Sequence, residues 1–189
     1  MDQYNYQRQK MISSYDVTTN SKGRELINRV LMPRFAQNFK DGDRILSVGK
    51  HPLWDYSVFF NGPHKQCEYI VSDIEPEIEP DVVDNIAESQ FDDNSFNGVI
   101  AIGLYDSLKG EGVTPEKVTA GITRILKPGG RLFVALTGRK NGSYDPAASW
   151  PNFYVDEVYY IWGDNMVEIG RGWYGEGDNQ AIFLVLRKK

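Results

Sequence analysis

Short β-rich runs that alternate with helical patterns limit most strongly how this chain can fold. The β-rich runs lie at 44–48, 68–72, 82–83, 98–102, 131–136, 166–173 and 181–186. Helices are expected from about Ser21 to Pro33, with Asn20 or Ser21 as N-cap, from Thr114 up to the glycine pair at 129–130, and around 155–162. Strands that alternate with helices predict a mostly parallel sheet with right-handed crossovers. The last two runs flank a turn-rich linker and predict a C-terminal antiparallel hairpin. We therefore expect an α/β three-layer sandwich.

Helix boundaries are marked by a few residues. Thr114 and Pro115 are a good helix start, since threonine can cap and proline fits the first helical position. The pair Gly129 and Gly130 predicts where that helix stops. Pro33 is expected to end or kink the first helix.

The 189 residues suffice for one well-buried core and are too few for two ordinary domains. Residues 1–20 are polar and include Tyr4, Tyr6 and Tyr15. They predict a flexible tail or, alternatively, a lid that closes over a substrate. Residues 21–189 are expected to form a single domain.

Charge and composition restrict the partners. The net charge is −5, and the terminal Arg187, Lys188 and Lys189 form the longest basic run, so nucleic acid is a poor candidate. No apolar run approaches the roughly 20 residues that cross a bilayer, and the polar N-terminus has no signal-peptide core. The single Cys67 excludes an internal disulfide and a cysteine-cluster metal site. We predict a cytoplasmic protein without a metal that acts on a small molecule; its oligomeric state is open.

The carboxyl ends of the predicted parallel strands are where a ligand is expected. Asp73 ends the second run and follows Gly49, after the first run, by roughly 20 residues. An acid at this spacing favours a carboxylate that holds a ribose diol; the alternative is an aspartate that only caps the following turn. Gly49 would let a ligand approach the backbone closely, although an ordinary tight turn is the alternative.

Four stretches, 45–49, 69–76, 91–100 and 125–132, resemble the successive motifs of the class I S-adenosylmethionine-dependent methyltransferases. The resemblance extends over about residues 44–189. It implies a Rossmann-like, seven-stranded sheet with a reversed last strand and S-adenosylmethionine as cofactor. The implied activity is methyl transfer to a small-molecule acceptor.

The same resemblance implies which residues contact the cofactor. Gly49 and its neighbours, including Ser47, would meet the methionine part, and Asp73 the ribose hydroxyls. Ile74 would pack on the adenine. The remaining positions would lie near the adenine edge (Asn85 and Ile86) and under the sulfonium (Ile102, Gly103 and Tyr105).

Two departures from the family pattern bear on function. Ser47 stands where the first motif usually has an acid, and the family's second glycine is replaced in the run from Gly49 to His51. They leave open weakened cofactor binding, a divergent subgroup, or a non-catalytic binding module. A nicotinamide-dependent oxidoreductase is a further alternative, which the missing glycine cradle disfavours.

No catalytic residue follows from the sequence. Methyl transfer needs mainly orientation and a dry pocket, and a general base only for a hydroxyl or protonated amine. Candidate bases are Asp106, His51 and His64, each of which would alternatively be surface or structural. Neither histidine has the spacing of a metal site. Tyr105 and Trp54 would either contact the cationic methyl donor or pack in the core.

Overall fold

The computed structural model describes residues 25–50, 55–63, 65–105, 108, 113–138, 162–174 and 180–189. The predicted tail or lid at 1–20 and nearly all of the helix expected at 155–162 lie outside these residues.

One seven-stranded sheet organises the described chain. Its strands are β1 Arg44–Val48, β4 Glu68–Asp73, β5 Val82–Val83, β6 Phe96–Ile102, β7 Leu126–Gly138, β8 Met166–Tyr174 and β9 Gln180–Lys188, and a separate pair is formed by β2 Asn61–Gly62 and β3 Lys65–Gln66. The spatial order is β5-β4-β1-β6-β7-β9-β8. Pairs from β5 through β7 are parallel, whereas β9 runs antiparallel to both β7 and β8. The predicted mostly parallel sheet with a terminal hairpin is therefore confirmed.

Helix α1, Met32–Ala36, directly follows a π-helical turn at Ile27–Leu31. Pro33 was expected to end or kink this helix. It does not end the helix, because the chain stays helical to Ala36, but the change from π-helical to α-helical structure falls at Met32, the residue before Pro33. The 3₁₀ turns are Ser57–Phe59, Pro76–Ile78, Ile86–Glu88 and Gly163–Asn165.

Helix α2, Pro115–Ile125, starts as predicted, because the Thr114 side chain caps it by accepting a hydrogen bond from the Lys117 N–H at 3.3 Å. Its expected end at the glycine pair is wrong. The chain becomes extended at Leu126, where β7 begins. Pro128 explains the early end, since it lacks an N–H and disfavours helical geometry in the residue before it. No helix among the described residues is long and apolar enough to cross a membrane.

Alternating strand residues fill a core on each face of the sheet. Leu46 and Val48 join the core beneath α2, whereas Ile45, the residue before Leu46 on β1, joins the core beneath α1. Aromatic rings dominate the second core, with Phe35 and Phe39 meeting edge to face at a centroid distance of 5.1 Å. Both faces of the sheet are therefore packed against a core, and this packing fixes the positions of the strand ends that form the site.

Gly98 is the position at which the second core tolerates no side chain. A Cβ there would lie 2.6 Å from Cζ of Phe39 and 3.0 Å from Cδ1 of Ile45. We expect Gly98→Ala to lower the free energy of unfolding by about 1–3 kcal/mol through overpacking, measured by urea denaturation. Gly62→Ala is the control, because a Cβ at Gly62 meets no atom within 4 Å. Equal losses in the two variants would contradict this reading of the core.

Candidate functional site

Hydrogen bonds between turns hold together the carboxyl ends of three neighbouring strands. The Gly49 N–H, just after β1, donates to the Ser72 carbonyl at 2.8 Å. The Asp84 N–H, just after β5, donates to the Asp73 carbonyl at 2.9 Å. Gly49 has a φ of 87°, a conformation that favours glycine. The turns after β1, β4 and β5 therefore form one continuous rim.

The Asp73 carboxylate is the centre of this rim. Its Oδ2 accepts the Lys50 N–H at 2.8 Å and its Oδ1 accepts the Glu75 N–H at 3.0 Å. The capping alternative is thus what the structure shows. The carboxylate can still accept further hydrogen bonds, because an ionised carboxylate has about four acceptor positions and these two N–H groups occupy two. The ribose role predicted for half-buried Asp73 stays a prediction.

Lys50 makes a second link between the same two turns. Its ammonium group donates to the Glu79 carbonyl, in the connection between β4 and β5. Glu79 itself has a left-handed φ of 53°. The turn after β1 lacks the further glycines of the family motif. It is held instead by hydrogen bonds of the Asp73 carboxylate and of the Lys50 ammonium group.

Ser47, on β1, does not face an open cleft. It is 6% exposed and lies near the Tyr69 phenol of the adjacent strand β4. Burial raises the pKa of Tyr69, and the nearby Ser47 hydroxyl lowers it by a smaller amount. A neutral, buried hydroxyl thus occupies the position where the family usually has an acid, and any cofactor contact of Ser47 stays a prediction.

The turn after β5 forms the far side of the rim. The Asn85 Oδ1 accepts the Ala87 N–H at 3.1 Å and so caps the turn Ile86–Glu88. Ile86 is 3% exposed and its carbonyl lies against Gly121, so the backbone contact with the adenine that the resemblance implies stays a prediction. Ile74, which follows β4, is 43% exposed and presents apolar surface beside Asp73.

Sequence reasoning missed Asp84, which is 6% exposed beside Asn85. Its Oδ1 accepts the Gln90 N–H at 2.9 Å, while its Oδ2 and the Ser72 Oγ are buried oxygens without a hydrogen-bond partner in the described part of the chain. An acid directly after a short strand was the available signal. Such oxygens are costly to bury, so Asp84 adds an uncompensated acceptor beneath the rim.

Tyr105, beyond β6, lies in the core beneath α2. Its side chain is 3% exposed, its hydroxyl bonds the Thr119 Oγ1 at 2.9 Å, and its ring meets Trp162 edge to face. Burial raises the pKa of this phenol, so Tyr105 stays protonated and is poorly placed to act as a base. The core-packing alternative describes its position. Ile102 and Gly103 lie at the strand end itself, where the Gly103 N–H donates to Ala135.

Several predicted candidates lie outside the described residues, namely Asp106, His51, His64 and Trp54. Their roles stay predictions. Within the described ranges, no group of three or more His, Cys, Asp or Glu residues could hold a metal ion.

The sequence matches a family model, and the fold matches solved structures. Residues 63–134 match the family model described as a methyltransferase domain. This stretch contains Asp73, the turn after β5 and α2. The chain has the class I methyltransferase fold. The resemblance predicted from its motifs is thereby confirmed.

Solved structures share this methyltransferase fold at low sequence identity. The PH0226 protein of Pyrococcus horikoshii OT3 has a TM-score of 0.67 and 14% identity over 95% of this chain and 99% of that one. The 1,6-didemethyltoxoflavin-N1-methyltransferase of Burkholderia thailandensis, solved with S-adenosylhomocysteine, has a TM-score of 0.58 and 15% identity over 100% and 91%. The [4+2]-cyclase SpnF has a TM-score of 0.61 and 13% identity over 82% and 80%. No curated protein sequence matches the chain.

The hydroxyl pair of Tyr105 and Thr119 gives a test of the core beneath the site. Tyr105→Phe removes the partner of a buried hydroxyl, so we expect a loss of about 1–2 kcal/mol in the free energy of unfolding. The double variant with Thr119→Val should lose less than the two single variants together, because no buried hydroxyl is then left unpaired. Urea denaturation of the four proteins measures this. Strictly additive losses would contradict the pairing.

Proposed function

We propose that this chain transfers a methyl group from S-adenosylmethionine to a small-molecule acceptor. The observation that carries the proposal is the Asp73 carboxylate, fixed by two backbone N–H groups at the lip of the parallel sheet with acceptor capacity remaining. The methyltransferase-domain match includes this residue. Two ribose hydroxyls are donors that such a carboxylate can accept together.

The charge around Asp73 suits a cationic cofactor. The connection from Asp73 to Asp84 also contains four acids, Glu75, Glu77, Glu79 and Asp81, and no basic residue. Lys50, the nearby cation, is bound to a backbone carbonyl. A field of this sign attracts a sulfonium and an ammonium and repels a pyrophosphate. It therefore favours S-adenosylmethionine over a nicotinamide dinucleotide.

In this proposal the chain contributes binding and orientation. S-adenosylmethionine supplies a methyl group already activated by a positive sulfur. Asp73 holds the ribose, exposed Ile74 covers one face of the adenine, and Asn85 with the Ile86 backbone borders its edge. Orientation of this kind supplies much of the rate of a displacement between two bound molecules.

We also propose that the acceptor is a small molecule and that the protein is cytoplasmic. The acidic balance favours a small molecule over nucleic acid. The Burkholderia thailandensis enzyme, by its name, methylates a small molecule at nitrogen. One cysteine allows no internal disulfide, which is consistent with a cytoplasmic protein.

A second candidate is a reaction other than methyl transfer on the same fold. SpnF, a [4+2]-cyclase, has this fold, and a fold does not determine a reaction. In this chain the neutral, buried Ser47 hydroxyl lies where the family usually has an acid. Binding of S-adenosylhomocysteine without turnover of S-adenosylmethionine over a panel of amine, hydroxyl and thiol acceptors would favour this candidate.

The Asp73 proposal is tested by calorimetric titration with S-adenosylhomocysteine. We expect Asp73→Asn to weaken binding about 10- to 100-fold, because charge-assisted hydrogen bonds to the ribose are worth about 1.5–3 kcal/mol. Glu77→Gln is the matched control, since Glu77 is an exposed acid of the same connection. It should bind within about twofold of the original chain. Absence of binding by the original chain, or equal effects of both variants, would overturn the proposal.

A further inference from the structure

Gly121, in the middle of α2, contacts the backbone of the turn after β5. A Cβ at this position would overlap the Ile86 carbonyl oxygen and lie 3.0 Å from the Ile86 carbonyl carbon and 3.7 Å from the Ala87 Cα. The obstructing atoms are backbone, so no side-chain rotation relieves the overlap. Glycine is unfavourable inside a helix, and this close approach is the structural reason for it here.

Arg124 holds the same segment from the next turn of α2. Its guanidinium donates to the Phe91 carbonyl at 2.8 Å and the Ser89 carbonyl at 2.7 Å, and it pairs with the Asp93 carboxylate at 2.6 Å. Helix α2 therefore fixes both the start of this segment, through Gly121, and its end. The position of the turn Ile86–Glu88 is set by α2 as well as by β5.

That turn is also joined to the cofactor side of the site. The Asp84 N–H donates to the Asp73 carbonyl, so the segment starts beside the proposed ribose ligand. A purine attached to a ribose on Asp73 would extend across exposed Ile74 toward Asn85. Moving the turn outward would change the hydrogen-bonding edge that this purine meets while leaving the Asp73 carboxylate in place.

We propose that Gly121 is a positioning residue that sets the depth of the purine pocket and, with it, selectivity for adenine. The inference rests on the proposed function, because it takes the ligand at Asp73 to be an adenosine. Gly121 acts through the backbone of Ile86 and Ala87, next to Asn85, and does not itself touch the ligand. The close approach of α2 to the Ile86 carbonyl is the feature that carries it.

The test compares two probes that differ only in the purine. S-adenosylhomocysteine carries a 6-amino group, and S-inosylhomocysteine carries a 6-oxo group and a ring N–H instead. For Gly121→Ala we expect the dissociation constant of S-inosylhomocysteine, divided by that of S-adenosylhomocysteine, to fall about tenfold or more toward one. This change is the equivalent of one hydrogen bond to the purine edge. Calorimetric titration of the full chain measures both constants.

Two further variants make the result decisive. Gly62→Ala adds a Cβ that meets no atom within 4 Å and should leave the ratio unchanged. Arg124→Lys keeps the positive charge but loses the planar fork that reaches both carbonyls, so it should lower the ratio even if Gly121→Ala does not fold.

The outcomes separate this inference from the proposed function. If the original chain binds S-adenosylhomocysteine but Arg124→Lys and any folded Gly121→Ala protein keep its ratio, the inference alone is overturned and Gly121 is merely structural. If the original chain binds no S-adenosylhomocysteine, the proposed function fails and the inference fails with it. A reduced ratio in a variant that remains folded supports the positioning role.

Discussion

The two backbone hydrogen bonds accepted by the Asp73 carboxylate are the interaction on which the geometry of the site depends. One fixes the turn after β1 through Lys50, and the other fixes the turn after β4 through Glu75. A charged acceptor makes each bond stronger than a neutral one. The same carboxylate therefore shapes the rim and is the group best placed to hold a ligand there. A turn without the usual glycines is thereby given a defined conformation.

The sequence predicted the sheet well because each strand is a short apolar run bounded by turn residues. It misplaced the end of α2, since the glycine pair resembles a helix stop, whereas Pro128 cannot continue a helix and the chain is already extended at Leu126. It left Tyr105 open between two roles, because a position after a strand does not reveal whether a side chain faces the cleft or the core. Gly121 gave no usable signal, because its role depends on a carbonyl from a distant segment.

Negative charge at this edge of the sheet does not lie on β1, where the family motif would place it. The acid that the family usually has on β1 is replaced by Ser47, a buried neutral hydroxyl near the Tyr69 phenol, whose pKa burial raises. Negative charge is instead concentrated along the connection from Asp73 to Asp84, with one oxygen of Asp84 buried and unpaired among the described residues. Under the proposed function, the attraction for a cation comes from this connection between β4 and β5.

This distribution bears on how the fold and the reaction are related. Helix α2 and the strand ends set the position of the turn after β5, on the proposed purine side of the rim, through backbone contacts. The same fold supports a methyltransferase in one neighbour and a cyclase in another. The fold therefore does not by itself determine the reaction. A chain that retains the proposed cofactor side can keep its ligand while its reaction changes.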